Sequence, residues 1–318
     1  MKDIPFVDEA TIAKILDYPT LIQWLDEAFR SNNIVTPQRH HHDYQGTKDG
    51  LSSTLLLMPS WETAGKLGIK LITVSPDNHQ LQLPAIQGIY MLFDATTGLP
   101  QMLMDAKELT VRRTAAASAL ASRYLSREDS EILLMIGTGA LAPHLIRAHA
   151  SVRPIKRVII WGRNREKATA LAKLLTLENY EVEVAPQLNR SLSTADIISC
   201  ATLSNEPLVS GAHLVAGQHI DLVGSYKKDM READDSTILR STLYVDTEAA
   251  KEESGDLYVP MQTGLIGDAA IKGDLFQLCS AQQLARNSDE AITLFKSVGH
   301  ALEDLVAAKL VSEKLATD

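Results

Sequence analysis

The stretch Glu131-Ile-Leu-Leu-Met-Ile136-Gly137-Thr138-Gly139-Ala140-Leu141-Ala142 decides the fold of this chain. Its first half is a short apolar run that predicts a buried strand, and the apolar-periodic residues that follow it predict a helix. A second apolar run at Val158–Trp161 predicts the next strand. In the turn, Gly137 permits a tight bend, Gly139 lets a pyrophosphate approach the backbone, and Ala142 takes the third small position. This order of strand, glycine turn, helix and strand predicts a dinucleotide-binding unit.

The predicted cofactor contacts begin in this turn, because the start of a helix offers backbone N–H groups that no intrahelical acceptor satisfies. They are Gly137, Thr138, Gly139, Ala140 and Leu141. A glycine-rich turn without a ligand is the alternative, and the two flanking strands favour the dinucleotide site.

The end of the second predicted strand indicates which dinucleotide binds. NAD-selective sites place Asp or Glu there, about 20 residues past the motif, to accept hydrogen bonds from the ribose 2′-OH. This chain has Gly162, Arg163 and Asn164 instead. Because the guanidinium of Arg163 matches the geometry of a 2′-phosphate, we predict contacts from Arg163 and Asn164 and a preference for NADPH, with NADH also possible. In the alternative, Arg163 caps a surface turn and both cofactors bind.

The chain has the composition of a two-domain globular protein, with 318 residues, 45% hydrophobic residues and a formal net charge of −9. No apolar segment is long enough to span a bilayer, and the first residues lack a secretory signal, so we predict a cytoplasmic protein without a membrane partner. The negative charge disfavours nucleic-acid binding. Cys200 and Cys279 lie far apart, outside metal or redox spacing, and are interpreted as core residues.

Two kinds of element order indicate the domains. The first third predicts helices and then strands, about Asp8–Leu16, Pro19–Ser31, Ser53–Met58, Gly68–Val74, Ala85–Phe93 and Leu99–Asp105, before an alanine-rich helix at Lys107–Leu125. From residue 131 to about residue 246, strands and helices alternate, which predicts a parallel sheet covered by helices.

The remaining elements complete the predicted architecture. Gln282–Leu284 and Ile292–Phe295 are expected to close the parallel sheet, and Val298–Leu315 to form a helix that returns to the first domain. We therefore predict an α/β protein with a Rossmann NAD(P)-binding domain at residues 119–294 and a second domain at residues 1–118 and 295–318.

Several short motifs recur together in one known family. They are Met58-Pro59, Gly68-Ile69-Lys70, Pro76-Asp77-Asn78, Leu83-Pro84, Thr97-Gly98-Leu99-Pro100, Leu109-Thr110 with Arg113-Thr114-Ala115-Ala116, Gly137-Thr138-Gly139, Ala195-Asp196-Ile197 and Phe295-Lys296-Ser297-Val298-Gly299. In this order, the sequence resembles the ornithine cyclodeaminase and mu-crystallin family. The resemblance implies a Rossmann domain, a second α/β domain that binds substrate and mediates homodimer formation, and redox chemistry at a carbon that carries an amino or imino nitrogen beside a carboxylate.

One position separates the activities of this family. Its cyclodeaminases carry an acidic residue shortly after a Val-Gly pair, whereas Tyr226 follows Val223-Gly224-Ser225 here, and a neutral phenol is a poor base near pH 7. The sequence looks most like the family's Δ1-pyrroline-2-carboxylate reductases, which reduce this cyclic imino acid, and often its six-membered piperideine homologue, with NAD(P)H. The alternatives are an ornithine cyclodeaminase, an alanine dehydrogenase-like enzyme, and a nonenzymatic NADPH or small-ligand binder of mu-crystallin type.

The resemblance also implies three cationic residues for the substrate. Arg39 and Arg113 are assigned to its carboxylate, because arginine pairs with carboxylates in a bidentate manner. Lys70 stands in an otherwise apolar strand; in a cleft, nearby arginines and loss of water would lower its pKa and make it the catalytic proton donor. The alternatives are an exposed loop position for Arg39, a surface or salt-bridged position for Arg113, and a solvent-facing Lys70.

Loop positions supply the remaining predictions. Five residues are expected near the nicotinamide, although each residue type is more often a cap or a packing residue: Thr114, Thr202, Ser225, Lys296 and Val298. No metal site is predicted at His40-His41-His42-Asp43, because neighbouring side chains of an extended segment point to opposite sides. The pair Glu303-Asp304 is interpreted as a solvated helix face.

Overall fold

The computed structural model describes residues 4–46, 52–280 and 286–317. The chain divides into two compact units, residues 1–114 with 300–318, called unit 1, and residues 115–299, called unit 2. The predicted segment Gln282–Leu284 lies outside the described residues. Among the helices described, none has the length and apolar character that a membrane span requires.

The strands are β1 Phe6–Val7, β2 Ile34–Val35, β3 His40–Gln45, β4 Ser52–Glu62, β5 Lys66–Val74, β6 Ile86–Asp94, β7 Pro100–Asp105, β8 Ile132–Ile136, β9 Arg157–Trp161, β10 Glu181–Val184, β11 Ile197–Cys200, β12 His219–Leu222, β13 Thr242–Val245, β14 Ile271–Asp274 and β15 Thr293–Lys296. The α-helices are α1 Glu9–Ile15, α2 Tyr18–Ser31, α3 Ala106–Leu125, α4 Ala142–Val152, α5 Arg165–Leu174, α6 Leu188–Leu192, α7 Asp235–Arg240, α8 Ala250–Glu253, α9 Gly255–Gln262, α10 Leu275–Cys279 and α11 Ala301–Thr317. The long elements were predictable, whereas β1, β2, β14 and α6 to α10 are too short to give a clear periodic signal.

Unit 1 is built on a mainly antiparallel sheet with the strand order β1-β7-β6-β5-β4-β2, and β3 also pairs with β4. Helices α1 and α2 belong to the same unit, as does α11, which contacts β4, β5, β6 and α2. Because side chains alternate across a strand, β5 buries Gly68, Lys70 and Ile72 and leaves Ile69 and Leu71 partly exposed on the other face. The buried lysine is therefore placed on the same face as the apolar core.

Unit 2 contains an eight-stranded parallel sheet with the order β10-β9-β8-β11-β12-β15-β13-β14. The first five strands have the Rossmann arrangement, in which the strand order reverses between β8 and β11. Strand β11 is wholly buried, as are β12 and β15, which is typical of parallel strands covered on both faces. The predicted α/β class with a Rossmann-type unit and a second unit is confirmed.

The borders of the two units differ from the predicted domain borders by a few residues. One border lies within α3, after residue 114, where the prediction placed it after residue 118. The other prediction, at residue 295, would divide β15, which pairs with β12 and β13 along its whole length. Phe295 therefore belongs to unit 2, and the second segment of unit 1 begins at residue 300.

Candidate active site

The glycine turn after β8 has the backbone shape that its sequence predicts. Gly137 has φ of +116°, a value that side chains disfavour, and its N–H donates to the carbonyl of Trp161 at 2.9 Å. A Cβ at this position would lie 2.5 Å from the carbonyl oxygen of Ala201. Only glycine therefore fits at the crossing between the turn and the residue after β11.

The next part of the turn leaves room for a phosphate. No atom lies within 4 Å of the place where a Cβ of Gly139 would stand, and both Gly139 and Ala140 are exposed. Helix α4 then begins at Ala142 with no side-chain hydrogen bond from its N-cap residue, Leu141. An open approach and an uncapped helix start fit the pyrophosphate of a dinucleotide.

A cleft beside this turn contains five of the twelve predicted cofactor residues, namely Gly137, Thr138, Arg163, Asn164 and Thr202. Its lining consists of Gly137, Thr138, Trp161, Gly162, Arg163, Asn164, Lys167, Thr202, Ser204 and Leu208. Asn164 caps α5 by accepting a hydrogen bond from the Lys167 N–H at 3.0 Å, which fixes the end of β9 against the start of that helix. The lining contains two cations, Arg163 and Lys167, and no acidic residue.

Sequence reasoning missed Lys167 and Ser204 in this cleft. Lys167 stands three positions after the helix cap Asn164, so the cap itself was the available signal. For Ser204 the only signal was its place shortly after the end of β11.

Four other predicted cofactor residues lie elsewhere in the two units. The N–H of Val298 donates to Asp246 at 2.7 Å, and the hydroxyl of Ser225 donates to the carbonyl of Met230 at 2.7 Å. Lys296 is fully buried, with its Nζ 3.5 Å from Asp256 Oδ2. Thr114 is a half-buried residue of α3 in unit 1. Their contacts to a cofactor stay predictions.

Unit 1 holds a buried group of two cations and two anions, called the cation cluster: Lys70, Arg113, Glu303 and Asp304. Arg113 donates from Nε to Asp304 Oδ1 at 2.8 Å and from Nη1 to Glu303 Oε2 at 2.6 Å. Lys70 Nζ lies 3.0 Å from Asp304 Oδ1 and 2.9 Å from Oδ2. The solvent-facing alternative for Lys70 is therefore wrong, because this residue is only 2% exposed.

The interpretation of Glu303-Asp304 as a solvated helix face is also wrong. These two residues are 1% and 0% exposed, and α11 buries almost all of its first ten residues. Buried charges require partners, and Lys70 and Arg113 supply them. The signal in the sequence was that apolar residues flank this pair, which indicates a helix without a solvent-exposed face at this point.

The surroundings shift the pKa of both cations. Burial, followed by the Arg113 charge, lowers the pKa of Lys70 to about 8, although the Asp304 carboxylate opposes this effect. For Arg113, burial also lowers the pKa, but the carboxylates of Asp304 and Glu303 outweigh it and raise the pKa overall. Arg113 therefore stays charged, whereas the pKa of Lys70 lies closer to neutral pH than its ordinary value.

Arg39 and His300 extend the cation cluster. Arg39 is half-buried after β2, and its charge contributes to lowering the pKa of Lys70. The His300 ring stacks on Phe29 at 6.4 Å between ring centres, and burial, followed by the Arg39 charge, lowers the pKa of His300 to about 4. His300 was missed by sequence reasoning, and it is a neutral imidazole in a cationic environment.

The histidine run forms part of an exposed strand. His40, His41 and His42 lie in β3, whose residues are all exposed, and the rings of His40 and His42 lie 6.1 Å apart between centres. Across the described ranges, no group of three or more His, Cys, Asp or Glu residues is arranged to hold a metal ion.

These features define a class of protein. It is a two-unit α/β protein whose parallel-sheet unit fits a dinucleotide and whose antiparallel-sheet unit contains two buried cations paired with two buried carboxylates. The model of the ornithine cyclodeaminase/mu-crystallin family matches residues 6–318. The chain belongs to this family.

Three similar proteins carry informative names. The Δ1-pyrroline-2-carboxylate reductase of Colwellia psychrerythraea is 40% identical over 95% of this chain and 96% of its own. The structure of the Thermococcus litoralis Δ1-pyrroline-2-carboxylate reductase, in complex with NADH and L-proline, has a TM-score of 0.92 at 31% identity and covers 99% of this chain and 98% of its own. The Paracoccus denitrificans iminosuccinate reductase, in complex with NAD+, has a TM-score of 0.89 at 26% identity over 99% of this chain and 97% of its own.

Proposed function

We propose that this protein reduces Δ1-pyrroline-2-carboxylate to L-proline with a nicotinamide dinucleotide, and that it accepts Δ1-piperideine-2-carboxylate to form L-pipecolate. In this reaction the C=N carbon gains a hydride, the nitrogen carries a proton, and the double bond becomes CH–NH. The observation that carries the proposal is the buried cation cluster, in which a permanently charged arginine adjoins a lysine of lowered pKa. The names of two similar reductases support the same substrate.

Arg113 has donors left for the substrate carboxylate. Its hydrogen bonds to Glu303 and Asp304 use Nη1 and Nε, and Nη2 has no partner among the described residues. A carboxylate at Nη2 would receive charge-assisted hydrogen bonds, each of which contributes on the order of 1.5 to 3 kcal/mol. Arg39 is the second proposed contact, since its charge is felt at Lys70 and at His300.

Lys70 is the proposed proton donor to the imine nitrogen. Asp304 holds its ammonium group in place, and the lowered pKa makes the transfer of a proton near neutral pH favourable. The reduced nicotinamide, when bound, supplies the hydride. The carboxylates of Glu303 and Asp304 keep the cationic site folded before the substrate arrives, because two buried cations without counter-charges would be strongly destabilising.

A substrate panel tests the function. We expect NADPH or NADH oxidation to be fastest with the two cyclic imino acids, as kcat/KM, and slower with pyruvate plus ammonia or oxaloacetate plus ammonia. Ornithine with NAD+ should give no proline. Faster turnover of either keto acid with ammonia than of the preformed cyclic imines would contradict the proposal, and no turnover of any substrate would favour a binding protein.

We further propose that NADPH is preferred over NADH. The cleft lining contains Arg163 and Lys167 and lacks an acid that would repel a 2′-phosphate. Two of the similar structures contain NADH or NAD+. A preference for NADPH must therefore come from the residues of this chain and not from the family as a whole. The ratio of kcat/KM for NADPH to that for NADH, measured with one imine substrate, tests it.

The homodimer is proposed from the partly exposed face of the unit 1 sheet. Adjacent strands align Leu57 with Leu71 and Leu71 with Ile89, and parallel to this row run Pro59, Ile69 and Met91. All six side chains are at least partly exposed, and a contiguous apolar face of this kind is typical of a protein interface. We propose a second copy of this chain as the occupant, because an isologous interface needs only one self-complementary surface.

Light scattering after size exclusion tests the dimer. Leu71→Lys should convert a dimer into a monomer, while Leu99→Lys should not, since Leu99 is 63% exposed in the turn before β7. A wild-type monomer at micromolar concentration would overturn the proposal.

A further inference from the structure

Two loops of unit 2 meet at the buried side chain of Glu232. Thr202 follows β11, and Gly224 and Ser225 follow β12. Because β11 and β12 are paired and parallel, both loops leave the sheet at its carboxyl edge. Ligands of such sheets bind at this edge, and Thr202 lines the nucleotide cleft.

The carboxylate of Glu232 accepts four hydrogen bonds from these loops. Its Oε1 accepts from the N–H of Thr202 at 2.7 Å and from the Thr202 hydroxyl at 2.9 Å. Its Oε2 accepts from the N–H groups of Gly224 at 2.7 Å and Ser225 at 3.2 Å. Since every partner is a donor, both oxygens must be acceptors, and an amide in this position would place its NH2 against N–H groups.

One buried cation faces the carboxylate of Glu232 within unit 2, and it is shared with a second carboxylate. Glu232, Asp256 and Lys296 are all 0% exposed, and Lys296 Nζ lies 3.5 Å from Asp256 Oδ2 and 3.9 Å from Glu232 Oε2. Asp256 Oδ1 accepts from the N–H of Glu232 at 2.7 Å and thereby fixes the backbone that carries this side chain. We call these three residues the Glu232 cluster.

The two loops leave no space for adjustment. A Cβ on Gly224 would lie 2.0 Å from the carbonyl oxygen of Thr202, so the backbones of the loops touch. The residue before Thr202, Ala201, in turn touches Gly137 of the nucleotide turn. A displacement of the loop at Thr202 would therefore reach the glycine turn directly.

We propose that Glu232 is a positioning residue for the dinucleotide, which holds the loops after β11 and β12 in their binding shape, and that Lys296 is its counter-charge and not a ligand of the cofactor. The inference rests on the proposed function only in that the cofactor is a nicotinamide dinucleotide. It assigns a task to Glu232, Asp256 and Lys296 that is independent of the substrate.

The test measures cofactor binding without substrate. Glu232→Gln should weaken the binding of NADPH and NADH at least tenfold, followed as the change in cofactor or protein fluorescence on titration. Asp196→Asn is the matched control: Asp196 accepts from the N–H groups of Glu131 and Ile132 at the opposite, amino edge of the same sheet. The control should lower thermal stability yet bind both cofactors within twofold of wild type. Unchanged binding in Glu232→Gln, or equal weakening in both variants, overturns the proposal.

A double-mutant cycle separates the two roles of Lys296. If Lys296 acts through Glu232, Lys296→Met should weaken binding less in the Glu232→Gln background than in the wild type; if it binds the cofactor, the two losses multiply. If Glu232→Gln fails to fold, Asp256→Asn replaces it in the test. Asp256→Asn should lower the cofactor affinity at least threefold, and an affinity equal to that of the wild type would contradict the proposal. Failure of the imino-acid panel would leave these affinities unaffected, so the two proposals fail separately.

Discussion

The cation cluster of unit 1 and the Glu232 cluster of unit 2 are both buried groups of opposite charges, but the hydrogen bonding of Glu232 differs from that of Arg113. In the Glu232 cluster, the carboxylate of Glu232 is saturated by the protein's own loops. In the cation cluster, Arg113 satisfies two carboxylates and keeps Nη2 available. A carboxylate that loop donors saturate holds the loops in place, whereas an arginine with an unused donor can bind a carboxylate, which is why we propose Arg113 as the substrate contact.

The largest expected effect is at Arg113. Arg113→Lys keeps the positive charge but removes the fork of donors, so kcat/KM for the cyclic imine should fall at least 100-fold, or ~2.7 kcal/mol. Arg112→Lys is the control, because Arg112 lies next to it on α3 and pairs with Glu108. The kcat/KM of the control should stay within fivefold of the wild-type value. Steady-state kinetics of both variants would measure these values, and the affinity for NADH should be unchanged in both. Equal losses in the two variants would show that the unused donors do not matter.

Lys70 should have a smaller effect, because its proposed role is to supply a proton, whereas most of the substrate binding is assigned to the arginines. Lys70→Met should lower kcat/KM at least tenfold, about 1.4 kcal/mol, with NADPH affinity nearly intact. Turnover like that of the wild type would remove Lys70 from the mechanism.

The pH dependence should follow the lowered pKa of Lys70. As pH rises through about 8, Lys70 loses its proton and kcat/KM for imine reduction should decrease. The Lys70→Met variant should lack this decrease.

The stability of the protein should change with pH in the opposite direction. Between pH 8 and the ordinary lysine pKa of 10.5, Lys70 is protonated in the unfolded chain but not in the folded protein. The free energy of unfolding should therefore rise with pH in this range. Denaturant titrations of wild type and Lys70→Met would measure the difference in slope.

The smallest effect should come from an exposed charge in the nucleotide cleft. Arg163→Gln should lower kcat/KM for NADPH about threefold to fivefold and leave NADH within twofold, because exposed ion pairs contribute only ~1 kcal/mol or less. Arg157→Gln, at the other end of β9 and paired with Glu183, should change neither value. An equal loss for both cofactors would show that Arg163 does not contact the 2′-phosphate.

The sequence was most informative where backbone geometry dictates residue type. Gly137 and Gly139 were identifiable because a positive φ and an open approach to the backbone require glycine. The strand that carries Lys70 was likewise predictable from its apolar residues. A single lysine in such a strand must be either solvated or paired with a carboxylate.

The partners of these residues were not predictable in the same way. Asp304 is 234 positions from Lys70 and joins it only because α11 packs on β4 and β5. Glu232 is 30 positions from Thr202, and its hydrogen bonds depend on how two loops meet. Contacts of this kind are set by tertiary packing, on which local patterns of hydrophobicity carry no information.

The position of α11 in the chain has a consequence for biosynthesis. Lys70 and Arg113 emerge from the ribosome long before Glu303 and Asp304, and all of unit 2 is translated in the interval. Because domains fold as units during translation, unit 2 should fold first. The amino-terminal segment of unit 1 cannot complete its fold until α11 supplies the carboxylates that pair with Lys70 and Arg113. A nascent chain arrested before residue 300 should therefore bind dinucleotide but resist proteolysis only within residues 115–299.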